Sequence, residues 1–309
     1  MILTIGTTPA LARSMIFPRI ELNGVNRASE VRVAAAGKSI NVARVIHTLG
    51  EPVTAATLLG GETGRQVTSE LTAAGVKLEF VETAAPTRVC VTAIDQSCGQ
   101  CTELIEPCGA IGDLESDQFW SLLCQRMPEA SLSVLAGTLA PGIPPGLGAM
   151  VSRLATHAQI PLIVDMLGEP LLLALPEHPW MVKMNRNELE LTLGSPLSSD
   201  GELRRGMLDL IQRGARRAAI TLGPSGAILT DGRTFWQAVA PKVPVVSPIG
   251  SGDAFAAGLA VAYRRGLEDA EALRFAISCG AANAMTAQAG FLDPNVVRDL
   301  SGTVEVVTD

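Results

Sequence analysis

Six short, almost uninterrupted apolar runs recur along this chain, at 1–6 (MILTIG), 53–59 (VTAATLL), 132–137 (LSVLAG), 161–166 (PLIVDM), 180–184 (WMVKM) and 217–222 (RAAITL). A strand that is apolar on both faces needs cover on both sides, which a parallel sheet in an α/β protein supplies and a half-wet antiparallel sheet does not. Between the runs lie stretches with helical spacing, 62–74, 145–158 and 200–213 among them. In another, Val42, Val45, Ile46 and Leu49 fall at i, i+3, i+4 and i+7, and Gly50 stops it. The alternation predicts an α/β fold, a doubly wound, mostly parallel sheet with helices on both faces. A chain of 309 residues, 47% hydrophobic and only 4% aromatic, suits one such domain spanning 1–309 and packed with small aliphatic side chains.

Two stretches break the rhythm, at about 12–34 and 87–108. Both alternate as half-exposed antiparallel strands do: TRVCVTAID puts Val89, Val91 and Ala93 on one face, and QSCGQ turns the chain back into CTELIE. Together they are expected to form a small β-sheet lid over a crevice at the strand ends. Its free edge and face suit a homodimer made through the lid. Four of the six cysteines, Cys90, Cys98, Cys101 and Cys108, fall in this second stretch. There is no second Cys-x-x-Cys and no His beside them, so they read as reduced structural thiols and not as a zinc or redox site; Cys124 and Cys279 read as core. The net charge of -7 argues against nucleic acid and anionic membranes as partners. The apolar run at 254–263 is far shorter than the roughly 20 residues of a spanning helix, and the N-terminus reads as a buried first strand, so the expected location is the cytoplasm.

Residues 33–44, VAAAGKSINVAR, contain Gly37-Lys38-Ser39, the closing residues of a P-loop. A P-loop also requires glycine five positions before the Gly-Lys pair, and that position is Arg32. Gly37 and Lys38 can still meet an anion at the start of the helix that follows, or be an ordinary turn glycine beside a solvated lysine. Near the other end, SPIGSGDAFAAGLAVAYRRG (247–266) places the turn Gly250-Ser251-Gly252 at the head of a helix, with Asp253 in its first turn. Free amides that hold a developing negative charge, beside a carboxylate that takes a proton from a hydroxyl, are what phosphoryl transfer needs. A plain helix cap is the other meaning of Asp253.

These two segments resemble the paired signatures of the PfkB (ribokinase-like) carbohydrate kinase family, whose C-terminal signature is similar to Gly250-Ser251-Gly252-Asp253 with Phe255 and Gly258. Its N-terminal signature is similar to AAGKSINVARVIHTLG at 35–50. VNRASEVRV, GGETG at 60–64 and TRVC at 87–90 look like the branch holding 1-phosphofructokinases and tagatose-6-phosphate kinases. The resemblance implies a ribokinase-like fold with ATP and Mg²⁺ as cofactors, Asp253 as catalytic base, and the amides of Gly250, Ser251 and Gly252 as anion hole. KMNRNEL at 183–189 resembles the family's Lys-Pro-Asn-x-x-Glu segment. It implies Lys183 and Asn185 near the nucleotide, and Asn185 with Glu188 positioning the metal, although the same pair also reads as a helix cap. Thr221, Gly223, Gly226 and Asn283 are implied around ATP; Gly37, Lys38 and Asn41 around the sugar; and Arg27, Arg88 and Thr138 around a phosphate already on the acceptor.

Three departures all fall on the acceptor side. Thr8 and Ala12 stand where the branch has Asn and Asp, Ser39 stands where it has Gly, and GTLAPG at 137–142 shifts a proline. The expected activity is transfer of the ATP γ-phosphoryl group to a hydroxyl of a sugar phosphate of the fructose 1-phosphate or tagatose 6-phosphate type. The alternatives are a non-catalytic binder of sugar phosphate or nucleotide, and a kinase whose acceptor has drifted to an unphosphorylated sugar or a nucleoside.

Overall fold

In the computed structural model, which describes residues 1–309, the chain opens with the buried strand β1 (Ile2–Ile5), then β2 (Ala10–Phe17), β3 (Glu30–Ala36) and the helix α1 (Lys38–Thr48). There follow β4 (Val53–Gly60), α2 (Gly61–Ala73), β5 (Lys77–Thr83), β6 (Arg88–Asp95) and β7 (Gln100–Ile105). Strict alternation comes next, through α3 (Asp113–Arg126), β8 (Leu132–Ala136), α4 (Leu147–Ala158), β9 (Leu162–Asp165), α5 (Glu169–Ala174) and β10 (Met181–Asn185). Two helices, α6 (Arg186–Leu193) and α7 (Asp200–Gln212), precede β11 (Ala218–Thr221). The chain ends with β12 (Ala227–Thr230), β13 (Phe235–Ala238), α8 (Ser251–Arg264), α9 (Asp269–Ala284), α10 (Pro294–Ser301) and β14 (Val307–Thr308).

All six apolar runs are strands of one sheet, in the order β14-β13-β12-β11-β10-β9-β8-β1-β4-β5. Pairing is parallel from β5 to β11 and antiparallel from β11 to β14. Alternation along β1 divides the core, Ile2 lying in one apolar cluster with α1, α8 and α9, and Leu3 and Ile5 in a second with α3, α4 and α7. Each fully buried Leu or Ile in these clusters contributes about 1.5–3 kcal/mol, so cover on both faces is what makes these runs strands. The winding reverses beside β1, where the chain leaves in one direction through β4 and β5 and in the other through β8 to β11. A crevice outside the carboxyl ends of the strands is the expected ligand position at such a reversal.

The lid is a separate four-stranded sheet, β3-β2-β6-β7. Its two hairpins are antiparallel as expected, but they meet through a parallel seam, β2 against β6, with Ala10 opposite Arg88 and Phe17 opposite Asp95. That seam corrects the all-antiparallel expectation, because each hairpin springs from the same end of the main sheet and points the same way. Val89, Val91 and Ala93 do share a face, and it is the half-exposed one; Thr92 and Ile94 on the other face are buried, Ile94 against Ala287. All six cysteines are unpaired, with Cys279 buried and Cys124 only half-buried, so the core reading fails for Cys124, which lies on the partly wet side of α3.

Candidate active site

Asp165 terminates β9 at the carboxyl end of the sheet, almost fully buried, and accepts from two ammonium groups. Lys38 Nζ, from the first residue of α1, donates to its Oδ1 (2.8 Å), and Lys183 Nζ, from the neighbouring strand β10, donates to Oδ2 (2.7 Å). Lys38 also reaches Glu188 Oε1 (3.1 Å). Burial opposes the charge on Asp165, but Lys183 and Lys38 hold its carboxyl below the usual range. Burial likewise opposes the Lys38 ammonium, which Asp165, Asp253 and Glu188 hold well above its ordinary value. The sequence reading named both lysines and missed Asp165, the group that joins them.

The head of α8 completes the cluster. Gly250 adopts φ +84°, and a Cβ there would sit 2.6 Å from that of Ala289, so only glycine makes this entry to the helix. Asp253 is buried and does not cap α8; its Oδ2 accepts from Asn41 Nδ2 (2.7 Å). Burial, with the nearby Asp165 charge adding to it, pushes the Asp253 carboxyl up to about 6, against the pull of Lys38, Lys183 and the Asn41 hydrogen bond. The Ser251 N–H is taken by the Pro248 carbonyl (3.2 Å), whereas the N–H groups of Gly250, Gly252 and Asp253 meet no backbone carbonyl. Free donors at the turn are therefore Gly250, Gly252 and Asp253, correcting the expected set of Gly250, Ser251 and Gly252. Ser251 Oγ and Asn41 Oδ1 are buried without partners. A Cβ on Gly252 would stand 3.0 Å from Lys183 Nζ, so the turn lies directly on that ammonium. Amides, ammonium groups and a carboxyl titrating near neutrality, brought together here, can hold an anion and accept a proton.

On the acceptor side the strand ends bring Thr7, Thr8 and Thr138 together, the two threonine hydroxyls donating to the Thr138 carbonyl (3.1 and 3.3 Å). Gly37, at φ +107°, lets the head of α1 lie against Thr8 and Pro9, whose atoms a Cβ would meet at 2.9 Å. Ser39 is buried against Gly6 and turned into the β1 side, so its bulk is absorbed by a second glycine and does not fill the crevice. Arg88, first residue of β6, donates to the carbonyls of Thr8 (3.3 Å) and Glu106 (3.5 Å), and its Nε is buried without a partner. Arg27 lies in the exposed β2–β3 loop, not on a lid strand, and makes no ion pair or side-chain hydrogen bond that would join it to Arg88. Ala12, on the lid face shared with Cys90, leaves that stretch without a carboxylate.

On the nucleotide side, Asn185 and Glu188 form a reciprocal cap at the head of α6, each side chain on the other's backbone N–H (2.8 Å). The capping reading of this pair is the one the geometry draws, with Glu188 Oε1 turned to Lys38. Thr221 ends β11, its hydroxyl 3.5 Å from the Met184 carbonyl, and leads into the turn that carries Gly223 and Gly226. Asn283 is fully buried; its Nδ2 donates to the Ile249 carbonyl and its Oδ1 accepts from Gly290 N, both at 2.9 Å. It ties two loops behind the α8 turn, and its complete burial keeps its amide from the surface.

Fold and site together define a sugar kinase: the pfkB family carbohydrate kinase model matches residues 4–295, and the chain belongs to that family. Carbohydrate kinases of this family use ATP and typically Mg²⁺. Among solved structures, phosphofructokinase-2 of Escherichia coli in complex with fructose-6-phosphate is 27% identical, with TM-score 0.89 and 98% of each chain covered. A protein of Thermotoga maritima described as a possible 1-phosphofructokinase shares the fold at 21% identity and TM-score 0.92, over 100% of this chain and 99% of its own. Arabidopsis thaliana ribokinase, complexed with ribose and ATP, does so at 21% identity and TM-score 0.77, with 97% and 98% covered. No helix is long and apolar enough to cross a membrane.

Proposed function

We propose that this kinase transfers the ATP γ-phosphoryl group to a hydroxyl of a sugar phosphate of the fructose 1-phosphate or tagatose 6-phosphate type, with Asp253 as base. The observation that carries the reading is Asp253 itself, buried, hydrogen-bonded to Asn41, titrating at about 6 and set beside three unclaimed amides. Gly250, Gly252 and Lys183 would hold the phosphates of ATP, Gly223 and Gly226 would let the nucleotide lie on the β11–β12 turn, and Asn283 would act only by fixing the loops behind. Lys38, held by Asp165 and Glu188, would neutralise charge on the moving group and Asn41 would orient the sugar. No three side chains of the metal-binding kind converge, so a direct protein cage does not fit. Mg²⁺, which keeps most of its waters, would be held near Glu188 and Asn185 through those waters, beyond their bonds to the cap and to Lys38, and would supply charge neutralisation to the phosphates.

Arg88, whose guanidinium donates to the Thr8 carbonyl, would grip a phosphate on the acceptor, and Thr138, exposed and joined to it through Thr8, would add its hydroxyl. The exposed Arg27 would join them only by movement of its loop. The half-exposed lid face, with Val31, Val33 and Leu104 about half exposed or more, fits a second copy of the chain, giving a homodimer through the lid. The test is ADP release from Mg-ATP over a panel of sugar phosphates, sugars and nucleosides, with Arg88→Ala alongside. Turnover on a phosphorylated ketohexose with a raised KM in Arg88→Ala supports the reading; turnover confined to an unphosphorylated acceptor, unchanged in that variant, sinks it.

A further inference from the structure

At the opposite end of the sheet, where β9 and β10 begin, the structure contains a cavity of about 260 Å³. Its wall is built from the last turns of α4, the turn into β9, the turn into β10 and the end of the α7–β11 loop, through Ser152, Thr156, Gln159, His178, Trp180 and Arg216. It shares no residue with the site described above. Three observations say what it would take. Arg216 is exposed and its side chain makes no ion pair or hydrogen bond, while its backbone N–H is pinned to the Pro179 carbonyl (3.1 Å). No carboxylate lines the cavity, and the nearest one in the chain, Glu177, is already bound bidentately by Arg153. Ser152 Oγ is fully buried on the same wall with no partner at all. A donor-rich wall with one free cation and no acid selects an anion.

Part of the wall is apolar and could take the body of an organic ion. Leu162 and the prolines at 161 and 179 are apolar, and Trp180 contributes its indole, held edge-on to Tyr263 with ring centroids 4.6 Å apart. His178 Nδ1 faces the Gly214 carbonyl (3.2 Å) and so carries its proton there, leaving Nε2 free for a polar edge of the occupant.

We propose that this cavity is a binding site for a small organic anion, its carboxylate or phosphate group on Arg216 and its compact apolar body against Trp180 and Leu162. The experiment is calorimetric titration of the full-length kinase with two probes, benzoate and inorganic phosphate. The expected result is saturable benzoate binding, about ten-fold tighter than that of phosphate, which Arg216→Ala weakens by about ten-fold or more, as loss of a charge-assisted hydrogen bond does. Asp253→Asn should leave that binding unchanged, and Arg216→Ala should leave ADP release unchanged, separating this site from the crevice and from any loss of folding. Failure of both probes to saturate, phosphate binding as tightly as benzoate, or benzoate binding indifferent to Arg216→Ala would each overturn the proposal.

Discussion

Asp253 is placed where burial and the Asp165 charge both oppose its ionisation, and its carboxyl titrates at about 6. As the proposed base it works ionised, so kcat/KM should rise with pH through about 6; a profile flat from pH 5 to 8 on an accepted substrate would contradict the assignment. Stability runs the other way. A carboxyl raised from 3.8 to about 6 binds its proton in the folded chain before it does so unfolded. The stability this gives is full below about 4 and is lost as pH rises through about 6, by about 3 kcal/mol at 1.36 kcal/mol per unit. Asp253→Asn should therefore lower turnover by at least about 100-fold yet melt higher than wild type at pH 8. Asp165→Asn should do the opposite to the fold: removing the carboxylate shared by the buried Lys183 and the partly exposed Lys38 costs about 3–5 kcal/mol, read as a lower denaturant midpoint. Asp253, Asn41 and Lys38 were legible because they stand beside small-residue turns at helix heads. Asp165 was not, because an acid ending an apolar run looks like a strand reaching water until Lys38 and Lys183, distant in sequence, close on it.

At the scale of elements, the turn that opens α8 and the helix it launches act as one part. Gly250→Ala must push Ala289 away or abandon its positive φ, and the cost, about 1–3 kcal/mol, should appear with a fall in kcat because the free amides move with the turn. A variant with normal kcat would show that the amides do not act where they are placed. The parallel strands and their helices were legible because apolar cover on both faces leaves an unbroken run. The strand β5 was hidden by its alternating charges, and β14 by its length of two residues. The joining of β2 to β6 was unreadable, since register between distant segments is set by where the main sheet delivers their ends.

Seen as a whole molecule, the lid exposes Val31, Val33 and Leu104 on one face while Ile16 and Ile94 on the other pack against Ala287. Val33→Asp should convert a lid-paired dimer into a monomer by light scattering; an unchanged mass would place the interface elsewhere or show there is none. The parallel seam carries a further consequence, for the order in which the chain assembles. Each lid hairpin can close locally, but β2 cannot find β6 until β1, β4 and β5 have docked and carried the two roots side by side. With one half-exposed face and only a small apolar cluster beneath the other, the seam opens more readily than the main sheet, which is covered on both sides. Backbone amides of the seam should then exchange with deuterium well before those of β1, β8 and β9, and a bound acceptor, by clamping both hairpins at once, should slow the seam more than the main sheet.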